Sequence, residues 1–141
     1  MTTQTLERPA TDLAARFPGR YLSLTSFKRD GTGVATPLWF VSDGERLLAL
    51  TDLHSAKVAR IRHDASVLVA PCGPSGKLRG EPMPAHAEVL TDTADLERVQ
   101  RLLIARYKLT YRIVMLGYRL GRRLRGQSSV ADGAALAITV D

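Results

Sequence analysis

The sequence predicts a single α+β domain, residues 1–141, in which six mostly antiparallel strands form a barrel with flanking helices. Three observations predict this class. Short runs with strand-like alternation are separated by tight turns, two segments switch to a helical period, and a length of 141 residues is typical of one domain. Consecutive strands joined by tight turns pair antiparallel, and helices outside that series pack on the faces of the sheet.

The first half of the chain predicts a three-stranded meander. Strand-like runs at 21–27, 34–41 and 46–51 are separated by two Asp-Gly turns, and Asp-Gly between such runs favours a hairpin. Pro37 lies inside the second run. Because proline has no N–H to donate to a ladder, its position indicates an edge strand or a bulge.

The second half mixes helices with strands. Residues 54–63 and 93–108 show a helical spacing of apolar residues, and a second helix continues to about residue 124, so that 93–125 form one helical segment. Residues 1–16 precede the first strand as an N-terminal extension. Alternating apolar residues predict the remaining strands at 65–71, 83–92 and 133–140.

Composition excludes several classes of protein. Hydrophobic residues make up 45% of the chain, enough for a core, yet no apolar run approaches the ~18 residues that span a membrane. The N-terminus carries Glu7 and Asp12 and no apolar stretch, so it does not resemble a secretory signal and we expect a cytoplasmic protein. The single cysteine, Cys72, excludes an internal disulfide and a multi-cysteine metal site, and the three histidines lack metal-ligand spacing.

The net charge of +6 is concentrated in one segment. Residues 98–125 hold nine lysines or arginines and no acidic residue, whereas the rest of the chain is slightly acidic. This distribution argues against nucleic-acid binding by the surface as a whole, so we expect no nucleic-acid partner. Residues 107–125 carry an apolar stripe among arginines. Such a helix could lie on an anionic membrane surface, pack on a partner subunit while attracting a polyanion, or simply cover the barrel.

A compact basic cluster follows the third predicted strand. Lys57 and Arg60 are three residues apart and therefore share one face of the helix at 54–63. Asp52 or Ser55 is the N-terminal cap, and the free N–H groups of the first turn lie at the corner between strand and helix. Such a corner is a candidate anion site, and the alternative is a solvated helix face.

Three collinear stretches carry a family resemblance. RYLSLTSFKRDGTGVATPLWFV contains a DG turn and a TP-x-W stretch, LALTDLHSAKVARIRHDASVLVA contains an S-x-K helix start, and APCGPSGKLRGEPMPAHAEVL is a Gly/Pro loop followed by a strand. Over roughly residues 17–140 the chain resembles the split β-barrel flavin and deazaflavin oxidoreductases, which include the pyridoxamine 5′-phosphate oxidases. The third stretch is most similar to small actinobacterial members that use the deazaflavin coenzyme F420.

The resemblance implies a split β-barrel, a bound cofactor and a set of residues that contact it. The cofactor is F420 or, alternatively, FMN. In this family a lysine at the position of Lys57 holds the cofactor phosphate, supported by the residue at Ser55, and the second strand lies against the flavin-like ring. Trp39 either lines this ring or fills the barrel. The candidate cofactor-binding residues are Lys57, Ser55, Arg60, Thr51, Thr36, Pro37, Leu38 and Trp39.

The resemblance also implies a function. The leading hypothesis is a homodimeric oxidoreductase that transfers hydride between reduced F420 and a small organic acceptor, with the cofactor site between subunits. No catalytic residue is assigned, because the hydride chemistry belongs to the cofactor. One alternative is an FMN-binding oxidoreductase of the same fold. The other is a non-catalytic cofactor carrier or a basic protein in peripheral contact with the inner membrane surface through residues 107–125.

Overall fold

A computed structural model describes residues 13–107 and 133–141, in which the chain forms seven strands and three helical stretches. The helical stretches are α1 at 13–16, α2 at Ala56–His63 and α3 at 93–107. The strands are β1 (Tyr21–Phe27), β2 (Gly33–Trp39), β3 (Val41–Asp43), β4 (Arg46–Asp52), β5 (Ser66–Cys72), β6 (Met83–Leu90) and β7 (Gly133–Val140).

The strands form one antiparallel sheet in the order β2-β1-β5-β6-β7-β4-β3. β1 pairs with β2 and β3 pairs with β4, as the two Asp-Gly turns predict. The predicted meander is wrong, however, because these two hairpins lie at opposite edges of the sheet. β5, β6 and β7 separate them, and β1 takes β5 as its second neighbour.

A single residue, Phe40, joins the two edges of this sheet. The run predicted as one strand at 34–41 is two strands, since β2 ends at Trp39 and β3 begins at Val41, so the described residues contain seven strands rather than six. Adjacent Cα atoms are about 3.8 Å apart, and the two edge strands must therefore meet at Phe40. The sheet curls into a barrel that closes at this corner, and β2 also approaches β4.

Two apolar clusters lie on the two faces of the sheet. The inner core fills the barrel with inward-facing strand residues, together with Phe40 and with Ile61 of α2. The outer core lies between the sheet and α3, where Leu103 and Tyr107 pack against residues of β4 and β7. Helix α2 therefore contributes to the inside of the barrel, and α3 covers part of its outside.

The Tyr107 side chain of α3 supplies hydrogen-bond partners for the backbone of Phe40, where strand pairing is interrupted. The Phe40 N–H donates to the Tyr107 hydroxyl at 3.2 Å, and that hydroxyl lies 2.7 Å from the carbonyl oxygens of both Phe40 and Arg20. The Tyr107 ring stacks on Trp39 with a centroid distance of 4.9 Å and an interplanar angle of 12°. The Arg106 guanidinium lies over the Phe40 ring at 5.0 Å. Residues at the end of the described part of α3 therefore hold the corner of the barrel.

The remaining predicted elements agree with the structure. β7 has its predicted bounds, and β5, β6 and α2 differ from prediction by one or two residues. Leu13 and Phe17 are buried in the inner core, so the end of the predicted N-terminal extension at 1–16 packs against the barrel. Residues 1–12 and 108–132, which include much of the predicted helical segment at 93–125, lie outside the described residues.

Tyr107→Phe should destabilise the protein by about 1–3 kcal/mol, because it retains the ring but leaves buried backbone groups of Phe40 without a partner. The measurement is the free energy of unfolding from urea denaturation followed by far-UV circular dichroism. Tyr21→Phe is the matched control, since the Tyr21 hydroxyl makes no hydrogen bond with the described residues. It should change stability by less than about 0.5 kcal/mol, and equal losses in both variants would contradict the role of the Tyr107 hydroxyl.

Candidate functional site

The loop between β4 and α2 is built by local hydrogen bonds that set the start of the helix. Asp52 Oδ1 accepts the His54 N–H at 2.9 Å, and the Asp52 carbonyl oxygen accepts the Ser55 N–H at 3.0 Å. Ser55 Oγ accepts the Val58 N–H at 3.4 Å, so Ser55 is the cap and Asp52 shapes the turn before it. The first two N–H groups of α2 make no hydrogen bond with the described residues and point out of the helix end.

Two basic side chains of α2 reach the ends of two strands. Lys57 Nζ donates to Thr51 Oγ1 near the end of β4 at 3.0 Å. Arg60 Nε donates to Ser26 Oγ near the end of β1 at 2.7 Å. Because Ser26 is only 1% exposed, this hydrogen bond fixes the Arg60 guanidinium against the barrel wall. We call Ser26, Thr51, Ser55, Lys57 and Arg60 together the basic corner.

The basic corner holds two partly buried cations without a carboxylate at ion-pairing distance. Neither Lys57 nor Arg60 forms an ion pair with the described residues. Burial lowers the pKa of Lys57, and the charge of Arg60 lowers it further, while Asp52 opposes both effects. An anion bound between Lys57 and Arg60 would stabilise the charged form of Lys57.

A row of half-exposed side chains runs along β2 away from the basic corner. The inward-facing residues of β1 are buried, whereas their partners on β2, which are Val34, Thr36 and Leu38, are only partly buried. Val34 pairs with Ser26 at the basic corner, and Leu38 lies four residues further along the strand, a distance of ~13 Å. The inner face of β2 is thus an accessible wall that begins at the basic corner.

The four residues predicted to form the ring wall divide between the two faces of β2. Thr36 and Leu38 face inward, and Leu38 packs against the inner core. Pro37 and Trp39 face outward, because successive side chains of a strand alternate. Trp39 stacks on Tyr107 in the outer core rather than filling the barrel. Pro37 is exposed on an edge strand of the sheet, as its missing N–H predicts.

Ser26 was not among the sequence-predicted site residues, although the sequence contains a signal for it. It falls on the same inward-facing row of β1 as Leu22 and Leu24, and a polar residue at a core position needs a hydrogen-bond partner. That partner, Arg60, lies 34 residues away in the chain. No local pattern could therefore have identified the pair.

The described residues contain neither a metal cluster nor a membrane span. Within 13–107 and 133–141, no group of three or more His, Cys, Asp or Glu side chains is placed to hold a metal ion. In the same ranges no helix is long and apolar enough to cross a membrane. Cys72 is 1% exposed, and burial raises the pKa of its thiol against an opposing effect of Arg79. This thiol is therefore not activated as a nucleophile.

Solved structures share the fold of this chain. A candidate pyridoxamine 5′-phosphate oxidase from Listeria innocua is 17% identical, with a TM-score of 0.63 over 96% of this chain and 94% of that one. An F420 reductase is 16% identical, with a TM-score of 0.56 over 92% of each chain. An FMN-binding, pyridoxamine 5′-phosphate oxidase-related protein from Nostoc punctiforme is 17% identical, with a TM-score of 0.51 over 99% of this chain and 78% of that one. These similarities confirm the predicted split β-barrel.

The sequence itself matches a family model. No curated protein matches the chain in sequence, but the model for pyridoxamine 5′-phosphate oxidase matches residues 16–140. The matched range extends from the end of α1 to the end of β7, so it includes the basic corner and all seven described strands. The chain therefore belongs to the pyridoxamine 5′-phosphate oxidase family.

Proposed function

We propose that this protein is an oxidoreductase that binds a flavin-type cofactor by its phosphate at the basic corner and transfers hydride between reduced F420 and a small organic acceptor. The main supporting observation is the pair of partly buried cations, Lys57 and Arg60, which have no acidic partner among the described residues. Ionisable groups with perturbed pKa values next to an accessible wall are concentrated at binding sites.

The basic corner has the donors that a phosphate requires. Lys57 Nζ carries three protons, of which the hydrogen bond to Thr51 uses one, and Arg60 has N–H donors beyond the one bonded to Ser26. The first two N–H groups of α2 add donors at the positive end of the helix. Ser55 and Ser26 orient these groups, Ser55 as the helix cap and Ser26 as the partner of Arg60. Residues from three elements thus converge on one anion.

The inner face of β2 fits a flat ring that extends from this phosphate. Thr36 presents a hydroxyl and Leu38 presents apolar surface on this face. Pro37 removes one N–H from a strand that has β1 as its only partner among the described strands. Trp39 supports the strand from its other face by stacking on Tyr107. In this proposal Thr36 and Leu38 contact the ring, and Pro37 and Trp39 shape the strand.

The protein contributes binding and orientation to the reaction. When bound, the cofactor supplies the hydride chemistry. Lys57 and Arg60 hold the anionic end of the cofactor, and this anchor sets the position of the ring along β2. The packed inner core behind Leu38 excludes water from one side of the ring. Orientation of the reacting groups is the main contribution that such an arrangement makes to the rate.

Three observations favour F420 over FMN. Residues 70–90 resemble family members that use F420, and an F420 reductase is among the structures with the same fold. Residues 98–125 also carry nine basic residues without an acidic one, which suits a cofactor with an acidic tail. FMN has no such tail and is the second candidate, because an FMN-binding protein also shares the fold.

The proposed active form is a homodimer with the cofactor between subunits. β2 has β1 on one side and no strand on its other side among the described residues. The inward-facing side chains of β2 are also only partly buried, so a ring lying on them would keep much of its second face exposed to water in a single chain. A second copy of the chain covers that face and supplies the remaining wall of the substrate pocket.

Lys57→Ala should weaken the binding of F420 by about 1.5–3 kcal/mol, the cost of a lost charge-assisted contact, which is a ~10-fold to 100-fold increase in Kd. Titration of cofactor fluorescence measures the affinity. Lys77→Ala is the matched control, because it removes the same charge from an exposed lysine in the loop after β5. Unchanged affinity in a folded Lys57→Ala variant would reject the phosphate assignment.

The affinity for the cofactor should fall as the pH rises into the alkaline range. The pKa of Lys57 is lowered in the folded protein, so its positive charge is lost at a lower pH than for an ordinary lysine, and the attraction for phosphate is lost with it. Lys57→Arg should keep its affinity over the same range, because a guanidinium stays charged throughout it. Calorimetric titrations of both proteins from neutral to alkaline pH test this difference, and parallel declines would contradict it.

Substitutions in residues 107–125 distinguish a role in cofactor binding from a peripheral membrane contact. All but residue 107 lie outside the described residues, so this prediction rests on the sequence. Reversing the charges of Arg122, Arg123 and Arg125 together should weaken long-tailed F420 more than a tail-less analogue, because long-range attraction tolerates imprecise geometry. Loss of binding to anionic vesicles with unchanged cofactor affinity would instead identify a peripheral membrane contact.

A further inference from the structure

A solvent-open cavity of about 510 Å³ lies at the opposite end of β1 from the basic corner. Its volume is in the range of small-molecule sites. Cys72 in its wall pairs with Tyr21 at the start of β1, whereas Ser26 lies near the end of that strand. Tyr21 and Ser26 are five residues apart, which corresponds to ~17 Å along a strand. The cavity is therefore separate from the basic corner.

The loop after β5 folds back and fixes Arg79 at this cavity. The Arg79 N–H donates to the Pro71 carbonyl oxygen at 2.8 Å, and the Gly73 N–H donates to the Lys77 carbonyl oxygen at 3.0 Å. The guanidinium lies over Gly73, where a Cβ atom would come within 3.0 Å of Nη2. Gly80 packs equally closely on Pro71, with a Cβ position 2.8 Å from the proline ring. The two glycines thus let the loop and the Arg79 side chain lie close to the strand.

The guanidinium of Arg79 makes no hydrogen bond or ion pair with the described residues. Around it the cavity has apolar walls, to which Pro18, Pro71 and Met83 contribute. Arg16 adds a second guanidinium, which donates to Met83 Sδ at 2.9 Å. Glu81 is the one acidic residue among the described residues of the lining, beside the two arginines.

We propose that this cavity binds a small organic carboxylate. Arg79 receives the carboxylate through its N–H donors, whose planar arrangement matches the two carboxylate oxygens. The apolar body of the ligand packs on Pro71 and Met83. A neutral molecule of the same shape gains only the apolar contact, so the site selects for the charge. This proposal stands independently of the function proposed for the basic corner.

Calorimetric titration with benzoate tests the proposal, with benzamide as a neutral probe of nearly the same shape. We expect saturable binding of benzoate by the wild-type protein and binding of benzamide that is about tenfold weaker or more, since a charge-assisted hydrogen bond is lost. Arg79→Gln should weaken benzoate binding by a similar factor. Lys77→Gln, two residues away on the same exposed loop, should leave it unchanged, and Glu81→Gln should strengthen it by removing a repulsive charge.

Lys57→Ala distinguishes this cavity from the basic corner, which could also attract benzoate. Benzoate binding that persists in Lys57→Ala and weakens in Arg79→Gln supports the assignment. Benzoate binding that is lost in Lys57→Ala and retained in Arg79→Gln overturns it. Absence of saturable benzoate binding by the wild-type protein, or equal affinities for benzoate and benzamide, overturns it as well.

Discussion

The architecture depends on the hydrogen bonds that Tyr107 makes to the backbone of Phe40. At this residue β2 has ended and β3 has not begun, so its N–H and carbonyl groups have left the ladder. A buried backbone group without a partner costs about 1–3 kcal/mol, and the Tyr107 hydroxyl supplies partners for both groups. Because the backbone groups of Phe40 have hydrogen-bond partners, the consecutive strands β2 and β3 can form the two opposite edges of the sheet. The barrel then closes at one corner, and the inner face of β2 stays accessible.

Helix α2 places positively charged groups and free amides at one end of that accessible face. The helix begins at Ser55, one short turn after β4, so its first amides and Lys57 lie beside the end of that strand. Val58 and Ile61 are buried on the opposite side of the helix, and their packing fixes its rotation about its own axis. Arg60 is thereby directed towards Ser26 at the end of β1. Packing on one face of a short helix therefore places two cations on the other face, at the end of a half-exposed strand.

Local patterns in the sequence predicted the parts of the structure that local interactions determine. The Asp-Gly turns identified both hairpins, and the spacing of Lys57 and Arg60 identified their shared helix face. The order of the strands could not be predicted this way, because the pairings of β1 with β5 and of β4 with β7 are long-range. The bend at Phe40 lies in an apolar run without glycine, and Tyr107, which hydrogen-bonds its backbone, is 67 residues away. The stacking of Trp39 on the same tyrosine is equally long-range, so no local pattern predicts it.

The proposed function requires that the basic corner binds the phosphate of a flavin-type cofactor. The most direct test is to titrate the wild-type protein with a tail-less F420 analogue that keeps the phosphate and with its phosphate-free counterpart, and in parallel with FMN and riboflavin. Each pair keeps its ring and differs in the phosphate, so the difference in affinity isolates the contribution of the basic corner. We expect the phosphate-bearing member of the preferred pair to bind at least about tenfold more tightly. Equal affinities within both pairs would contradict it.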